Sequence, residues 1–395
     1  MTIQGNHMRV SFSLVAVITS VVCAFAGTTL AWSAGDGSKS WKELQDAGTQ
    51  ALDANRYWEA EPLLHQAVIK AGGFGAGDLR LAKSLGELGR LYTVRGRYAD
   101  AEPYLEEELF VKETALGRDT GHTIPAMGSL IRFYLTHGTV SKADPMTEEL
   151  LSFVEGKIKE PTLTRPKIKF KKGMSLEGWA GTAAPVARDP LIEWAIACDA
   201  LGNVYRIKEK YDYAERLFKA ALDLKTTVLG KDHLSLANSY DSLGVMCLDR
   251  KELPQAEYYF ADALAITEKT LEPGDPQIFA RMDKLAKCLI KEGKMKQAED
   301  LYVRATGFYK ADSGINSEEA RALYALGCLY CDEKKYDSAA HALAKALRIA
   351  DQFHGPASVS LVPYLQKYAY ALYHLGRKPE VDQLRARAHT ISGAI

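Results

Sequence analysis

The chain lacks most of what would announce a chemistry. It has no net charge, with 50 lysines and arginines against 50 aspartates and glutamates in 395 residues. No global field therefore draws it to nucleic acid or to an acidic membrane surface. The strong catalytic signatures are missing: there is no Gly-x-x-x-x-Gly-Lys-Ser/Thr, no His-Glu-x-x-His and no Gly-x-Ser-x-Gly. The nine histidines occur singly. Cysteine is scarce: beyond Cys23 only Cys198, Cys247, Cys288, Cys328 and Cys331 remain, an odd number that argues against a disulfide framework. Cys328-x-x-Cys331 would need two further ligands to hold zinc, and no second cysteine or histidine pair has matching spacing. The expectation is a protein that is not an enzyme and takes neither a metal nor a cofactor.

What the chain does have is a period. Ala60, Ala101, Ala143, Ala214, Ala256, Ala298 and Ala339 recur at intervals of 41, 42, 71, 42, 42 and 41, and the odd interval is one period plus 29 residues. A fixed period of this size means stacked supersecondary units, none of which can bury its apolar face alone. The same positions return around each alanine. One unit reads Leu201-Gly202, Tyr205, Tyr211, Ala214, Phe218, Ala221, and the next Leu243-Gly244, Cys247, Leu253, Ala256, Phe260, Ala263. Leu88-Gly89 and Leu326-Gly327 open two further good copies, while Leu130-Ile131 opens the weakest. Spacings of three and four are helical, so each unit reads as two helices joined by a short polar turn such as Lys208-Glu209-Lys210. Glycine costs about 1 kcal/mol against alanine inside a helix. Its repeated use implies a close approach of two backbones, with the repeated alanine of the second helix expected to face that contact.

The Leu-Gly, Tyr, Ala, Phe and Ala positions resemble the tetratricopeptide repeat. The longer period, together with Leu229-Gly230-Lys231-Asp232-His233 and Pro273-Gly274-Asp275-Pro276 between units, is similar to the kinesin-light-chain type of that repeat. The resemblance covers residues 41 to about 355 apart from the insertion, with a divergent last pair from Ser358 to Ser392. In those linkers Asp232, Asp275 and Asp189 are expected to cap helices, with Pro276 and Pro190 at first helical positions. The implied fold class is all-α, a right-handed α-solenoid of about eight antiparallel helix pairs interrupted by one non-helical insertion. The expected divisions are 1–34 as signal peptide or membrane anchor plus linker, 35–158 as repeats one to three, 159–190 as the insertion, 191–356 as repeats four to seven, and 357–395 as a capping pair.

Two stretches stand apart from the array. Arg9 precedes an uncharged run from Val10 to Ala26, closed by Ala24-Phe25-Ala26. This is the layout of a secretory signal peptide, and an uncleaved anchor over Val10 to Trp32 is the rival reading. The expected location is periplasmic or extracellular in the first case and membrane-anchored in the second. The insertion carries Pro161, Pro166 and Pro185, and from Lys157 to Lys172 it holds seven cations against Glu160 alone. Lys167, Lys169, Lys171 and Lys172 form its basic core, able to contact anionic lipid, polymer or an acidic partner, although a solvated loop is the plainer reading.

Arrays that resemble this one bind proteins, with first helices lining a concave surface that takes extended peptides. Carried over by register, the groove candidates in the first half are Lys83, Arg90 and Arg132. In the second half they are Asp199, Asn203, Arg206, Asn238, Asp241, Asp283, Lys284, Lys287, Lys291, Arg321 and Tyr324. The same register puts Cys328 and Cys331 on or near that surface. Lys284, Lys287 and Lys291 follow one helix face and favour an acidic ligand segment. The expected function is a protein-interaction scaffold. The alternatives are an envelope component that uses the basic insertion and a non-catalytic subunit of an enzyme complex. Nucleic acid is not an expected partner.

Overall fold

A computed structural model describes residues 39–118, 123–137, 139–159, 189–308 and 317–393. The expected signal or anchor segment and the basic residues Lys167, Lys169, Lys171 and Lys172 lie outside the described residues. Among the described residues there are sixteen α-helices and no strand. They follow one another in eight pairs: α1 Trp41–Asp53 and α2 Tyr57–Gly72, α3 Leu79–Val94 and α4 Tyr98–Leu116, α5 Ile124–His137 and α6 Val140–Ile158, α7 Pro190–Ile207 and α8 Tyr211–Leu229. The remaining four are α9 Leu234–Asp249 and α10 Leu253–Thr270, α11 Pro276–Lys291 and α12 Met295–Gly307, α13 Ser317–Asp332 and α14 Tyr336–His354, and α15 Val362–His374 and α16 Lys378–Ser392. The fold is an all-α helix-pair solenoid. The chain divides into two compact units, Met1–Lys157 with the first three pairs and Ile158–Ile395 with the other five.

The seven repeat alanines are fully buried, each 0 % exposed. The Leu-Gly glycines explain how the helices of a pair come together. A Cβ on Gly202 would lie 2.6 Å from the Phe218 ring, one on Gly244 2.7 Å from Phe260, and one on Gly327 2.5 Å from Leu343. The contact is as close as expected, but the side chain that fills it belongs to the residue four after the repeat alanine and not to the alanine itself. One turn along the second helix brings that larger side chain over the glycine, while the alanine is buried beside it.

Caps and turns punctuate the pairs. Asp189 and Asp275 each accept a hydrogen bond from the backbone N–H two residues on, with Pro190 and Pro276 at the first helical position, as expected, and Asp78 caps its helix in the same way. At α9 the expected cap is displaced: His233, not Asp232, occupies the position and its ring nitrogen accepts from the Ser235 amide at 3.2 Å. Asp232 instead pairs with Lys269 at 2.8 Å. The turn inside most pairs needs one residue at positive φ. Gly96, Gly293 and Gly376 supply it without strain, whereas Asn55, Glu209, Lys251 and Lys334 adopt the same left-handed conformation with a side chain.

Candidate protein-interaction surface

The first helices of the second unit meet one another through polar side chains at a spacing one residue beyond the sequence period. Arg206 on α7 pairs with Asp249 on α9 at 2.5 Å. Asn238 on α9 accepts from the Arg281 guanidinium on α11 at 2.7 Å. Asp241 holds Lys284 at 2.8 Å and lies 3.5 Å from Arg281. Apart from Asp241–Arg281, each link joins residues 43 apart, so the first helices α7, α9 and α11 present one continuous polar strip. Arg281 and Asp241 are buried in it, whereas Lys284 reaches the surface.

A second network lies beneath the strip. Lys225 on α8 is buried and donates to the carboxylate of Asp199 on α7 and, at 2.7 Å, to Ser239 on α9. Burial pushes the Asp199 carboxyl above its ordinary range although the ammonium beside it pulls the other way. His233 is also buried, and burial, reinforced by the positive charge of Lys225, lowers its pKa to about 4.

The structure brings together most of the groove candidates of the second unit and largely pairs their charges. Lys287 holds Asp283 at 2.6 Å, and Asp283 also accepts from the Tyr302 hydroxyl at 2.9 Å. Arg321 pairs with Glu318 at 2.7 Å and its guanidinium lies 5.3 Å from the centre of the Phe279 ring. Tyr324 packs on Tyr364, ring centres 4.7 Å apart. Asn203 donates back to the Asp199 carbonyl of its own helix at 3.0 Å. Of the three lysines in the α11 row, two are matched by carboxylates of the strip, and Lys291 is exposed with no ion pair among the described residues.

In the first unit Arg90 bridges Asp53 and Glu87 at 2.6 and 3.2 Å, the Lys83 ammonium lies 6.0 Å from the Trp41 ring centre, and Arg132 is exposed without an ion pair among the described residues. Cys331 is buried in an apolar cluster with Ala339, Leu343, Leu372 and Val381. Cys328 is half-buried beside Tyr324, and burial raises its thiol pKa.

A further recurring contact was not anticipated from the sequence. The glutamate after the repeat alanine ties its helix to the turn region of the next pair: Glu61 to Arg97 at 3.3 Å, Glu102 to Lys142, Glu215 to Arg250 at 3.1 Å, Glu257 to Lys294, and Glu299 to Lys335 at 3.7 Å. The Ala-Glu dipeptide at fixed period was the available signal. Surface pairs of this kind contribute roughly 0–1 kcal/mol each, so the series supports register more than stability.

The fold and its strip define a repeat protein that presents an extended polar surface. The tetratricopeptide repeat is matched over residues 195–269 and 278–352 by one form of that family and over residues 81–122 by another. Over those stretches the chain is a run of tetratricopeptide repeats. Solved structures similar to it include BtubC (BKLC) from P. vanneervenii, at 18 % identity over 63 % of this chain and 91 % of that one, with a TM-score of 0.46. The apo form of RapI matches at 13 % identity over 90 % and 86 %, TM-score 0.47. YrrB, described as a TPR protein with an unusual peptide-binding site, matches at 17 % identity over 55 % and 92 %, TM-score 0.33. No curated protein matches the sequence. Tetratricopeptide arrays are generally protein-interaction scaffolds, and the repeats support that role for this chain.

Proposed function

We propose that the first-helix strip of the second unit, from Asn203 to Tyr324, holds an extended segment of a protein partner, in a protein exported or tethered by residues 1–34. The observation that supports this most is the set of links 43 residues apart, Arg206–Asp249, Asn238–Arg281 and Asp241–Lys284. These side chains are already fixed by one another, so a ligand meets a surface whose ordering cost has been met in advance. The matched charges shift the expected ligand away from a strongly acidic segment towards one of mixed polar character, with Lys291 as the cation of the row that has no ion pair among the described residues.

A photo-reactive amino acid at Lys291, compared with one at the exposed second-helix position Ala265, tests the reading in the native compartment. A partner captured from position 291 and not from 265 is the expected result. Equal capture from both positions, or capture from 265 alone, would sink it. The basic segment from Lys157 to Lys172 supports a second reading, contact with an anionic membrane or polymer, on its charge. Sedimentation with anionic liposomes, with and without residues 160–188, separates the two.

A further inference from the structure

The second helices of the first unit each carry a proline at the same register: Pro62 on α2, Pro103 on α4 and Pro145 on α6. In the second unit that register holds Arg216, Tyr258, Asp300 and His341. A proline inside a helix has no N–H for the carbonyl four residues earlier, here that of Trp58, Ala99 or Ser141. Such a carbonyl is tolerated where water reaches it, and Pro103 and Pro145 are exposed. The prolines therefore mark the face that these helices turn away from the core.

On α2 this face is free of charge. Trp58, Pro62, Gln66 and Ile69 lie on one side of the helix at spacings of four, four and three. Trp58 is 77 % exposed and Ile69 56 %. Phe110 repeats the position of Ile69 one period later on α4 and is 50 % exposed. The two helices are neighbours, with the rings of His65 and Tyr104 centred 6.2 Å apart. The charges beside the stripe are already matched: Glu59 holds Arg56 at 3.1 Å and Glu106 holds Lys142 at 3.3 Å. Glu107, at the Gln66 position of α4, is half-buried, and burial raises its pKa. At the same four positions α8 has Asp212, Arg216, Ala220 and Asp223, and α14 has Asp337, His341, Lys345 and Arg348. The apolar face belongs to the first unit and not to the repeat as such.

The place where the described chain starts points to what covers it. The carbonyl of Lys39 accepts from Lys70, the neighbour of Ile69 on α2. The apolar run from Val10 to Trp32 lies just upstream, and the seven residues from Trp32 to Lys39 reach at most about 25 Å. Whatever receives that run therefore lies close to this face. Tryptophan with apolar neighbours suits the boundary of a bilayer. The carbonyls released by the prolines meet water and headgroups there, whereas a dry protein contact would bury them unpaired.

We infer that the outward face of α2 and α4 lies on a bilayer surface, with Trp58, Ile69 and Phe110 entering the headgroup region. This rests on the reading in which residues 1–34 tether the chain, and it uses neither the first-helix strip nor the basic segment. The test places a diazirine-bearing amino acid at position 69 or 110, and for comparison at 265, the equivalent of 69 on α10. The full chain is reconstituted into vesicles of phosphatidylcholine alone, which offer the basic segment no anionic lipid. After irradiation, intact mass reads the adduct and the N-terminus together. Lipid adducts at 69 and 110 are expected in severalfold higher yield than at 265. Trp58→Asp should lower the yield at 69 severalfold, with circular dichroism and flotation with the vesicles unchanged. Equal yields at 69 and 265, in a chain that retains residues 1–34, would overturn the surface contact and leave the tether standing. Capture of a second copy of the chain from position 69 in place of lipid would overturn it in favour of self-association. A chain that begins after Ala26 when isolated from its native compartment would overturn the tether and the contact with it.

Discussion

Gly202 and Phe218 occupy the same space as nearly as two residues can: a Cβ on the glycine would stand 2.6 Å from the ring. The substitution Gly202→Ala therefore forces either the ring or the helix to shift. Overpacking of this kind costs about 1–3 kcal/mol, against which the better helix propensity of alanine returns about 1 kcal/mol. Net destabilisation of the second unit is expected. In a Phe218→Ala background the added methyl has room, so Gly202→Ala should there be neutral or favourable. Urea denaturation of the four chains in this double-mutant cycle measures the coupling, and additive effects would contradict the contact.

How far the sequence disclosed this depends on the range of the contact. The glycine was legible because a residue that weakens a helix, returning at a fixed period, marks a place where a side chain does not fit. Its true neighbour was not, since alanine and the phenylalanine four residues later lie on the same helical stripe, and only the packing decides which one covers the glycine. Asp232 and His233 were adjacent candidates for one cap, and the chain selected the histidine because its ring reaches the Ser235 amide from a buried position. The links of the strip were the least legible. Asn238 and Arg281, or Asp241 and Lys284, are 43 residues apart, and their meeting depends on how each pair rotates onto the next. Single-helix periodicity carries no record of that rotation. The buried Lys225 was missed for the same reason, because its partners Asp199 and Ser239 come from two other helices.

The left-handed turn residues offer a stabilising substitution. Lys251 holds φ at 63°, where Gly96, Gly293 and Gly376 serve in the equivalent turns. A side chain in this conformation costs roughly 1–2 kcal/mol, and glycine gives back part of that through the greater freedom of the unfolded chain. Lys251→Gly should stabilise the second unit by about 0.5–1 kcal/mol, read as a higher urea midpoint at unchanged slope. Gly293→Ala should move the midpoint the other way. A lower midpoint for Lys251→Gly would mean that the lysine side chain contributes more than its backbone strain removes.

Acid should weaken the second unit through His233. Its folded pKa, lowered to about 4 chiefly by burial, lies below the ordinary histidine value of 6.5, so folding favours the neutral ring. The stability this brings is complete above pH 6.5, falls as pH drops from 6.5 towards 4, and is lost below that. The linkage is on the order of 2–3 kcal/mol over the window. Asparagine caps a helix as well and does not titrate. His233→Asn should therefore match the wild type in urea midpoint at about pH 7.5 and exceed it at about pH 4.5. A gap that does not change with pH would refute the assignment, because every other titrating group is common to both chains.

The buried ammonium of Lys225 makes the strongest energetic prediction. It is held between Asp199 on the preceding helix and Ser239 on the following one. Lys225→Met leaves the half-buried Asp199 carboxylate without its cation, a change that costs up to about 3–5 kcal/mol when one partner of a fully buried pair is removed and less where water reaches the other. Removing both charges relieves that penalty, so Asp199→Leu with Lys225→Met should recover most of the loss and can equal the wild type. The acid response tells the two chains apart. In the single variant the carboxyl loses its opposing cation and its pKa rises further, so the unfolded state, with its ordinary carboxylate, binds fewer protons near neutrality than the folded one. Stability of Lys225→Met relative to the double variant should then improve as pH falls from about 7 towards about 5. Equal losses in the single and double variants, at every pH, would show that Lys225 acts through packing of its methylene chain and not through its charge.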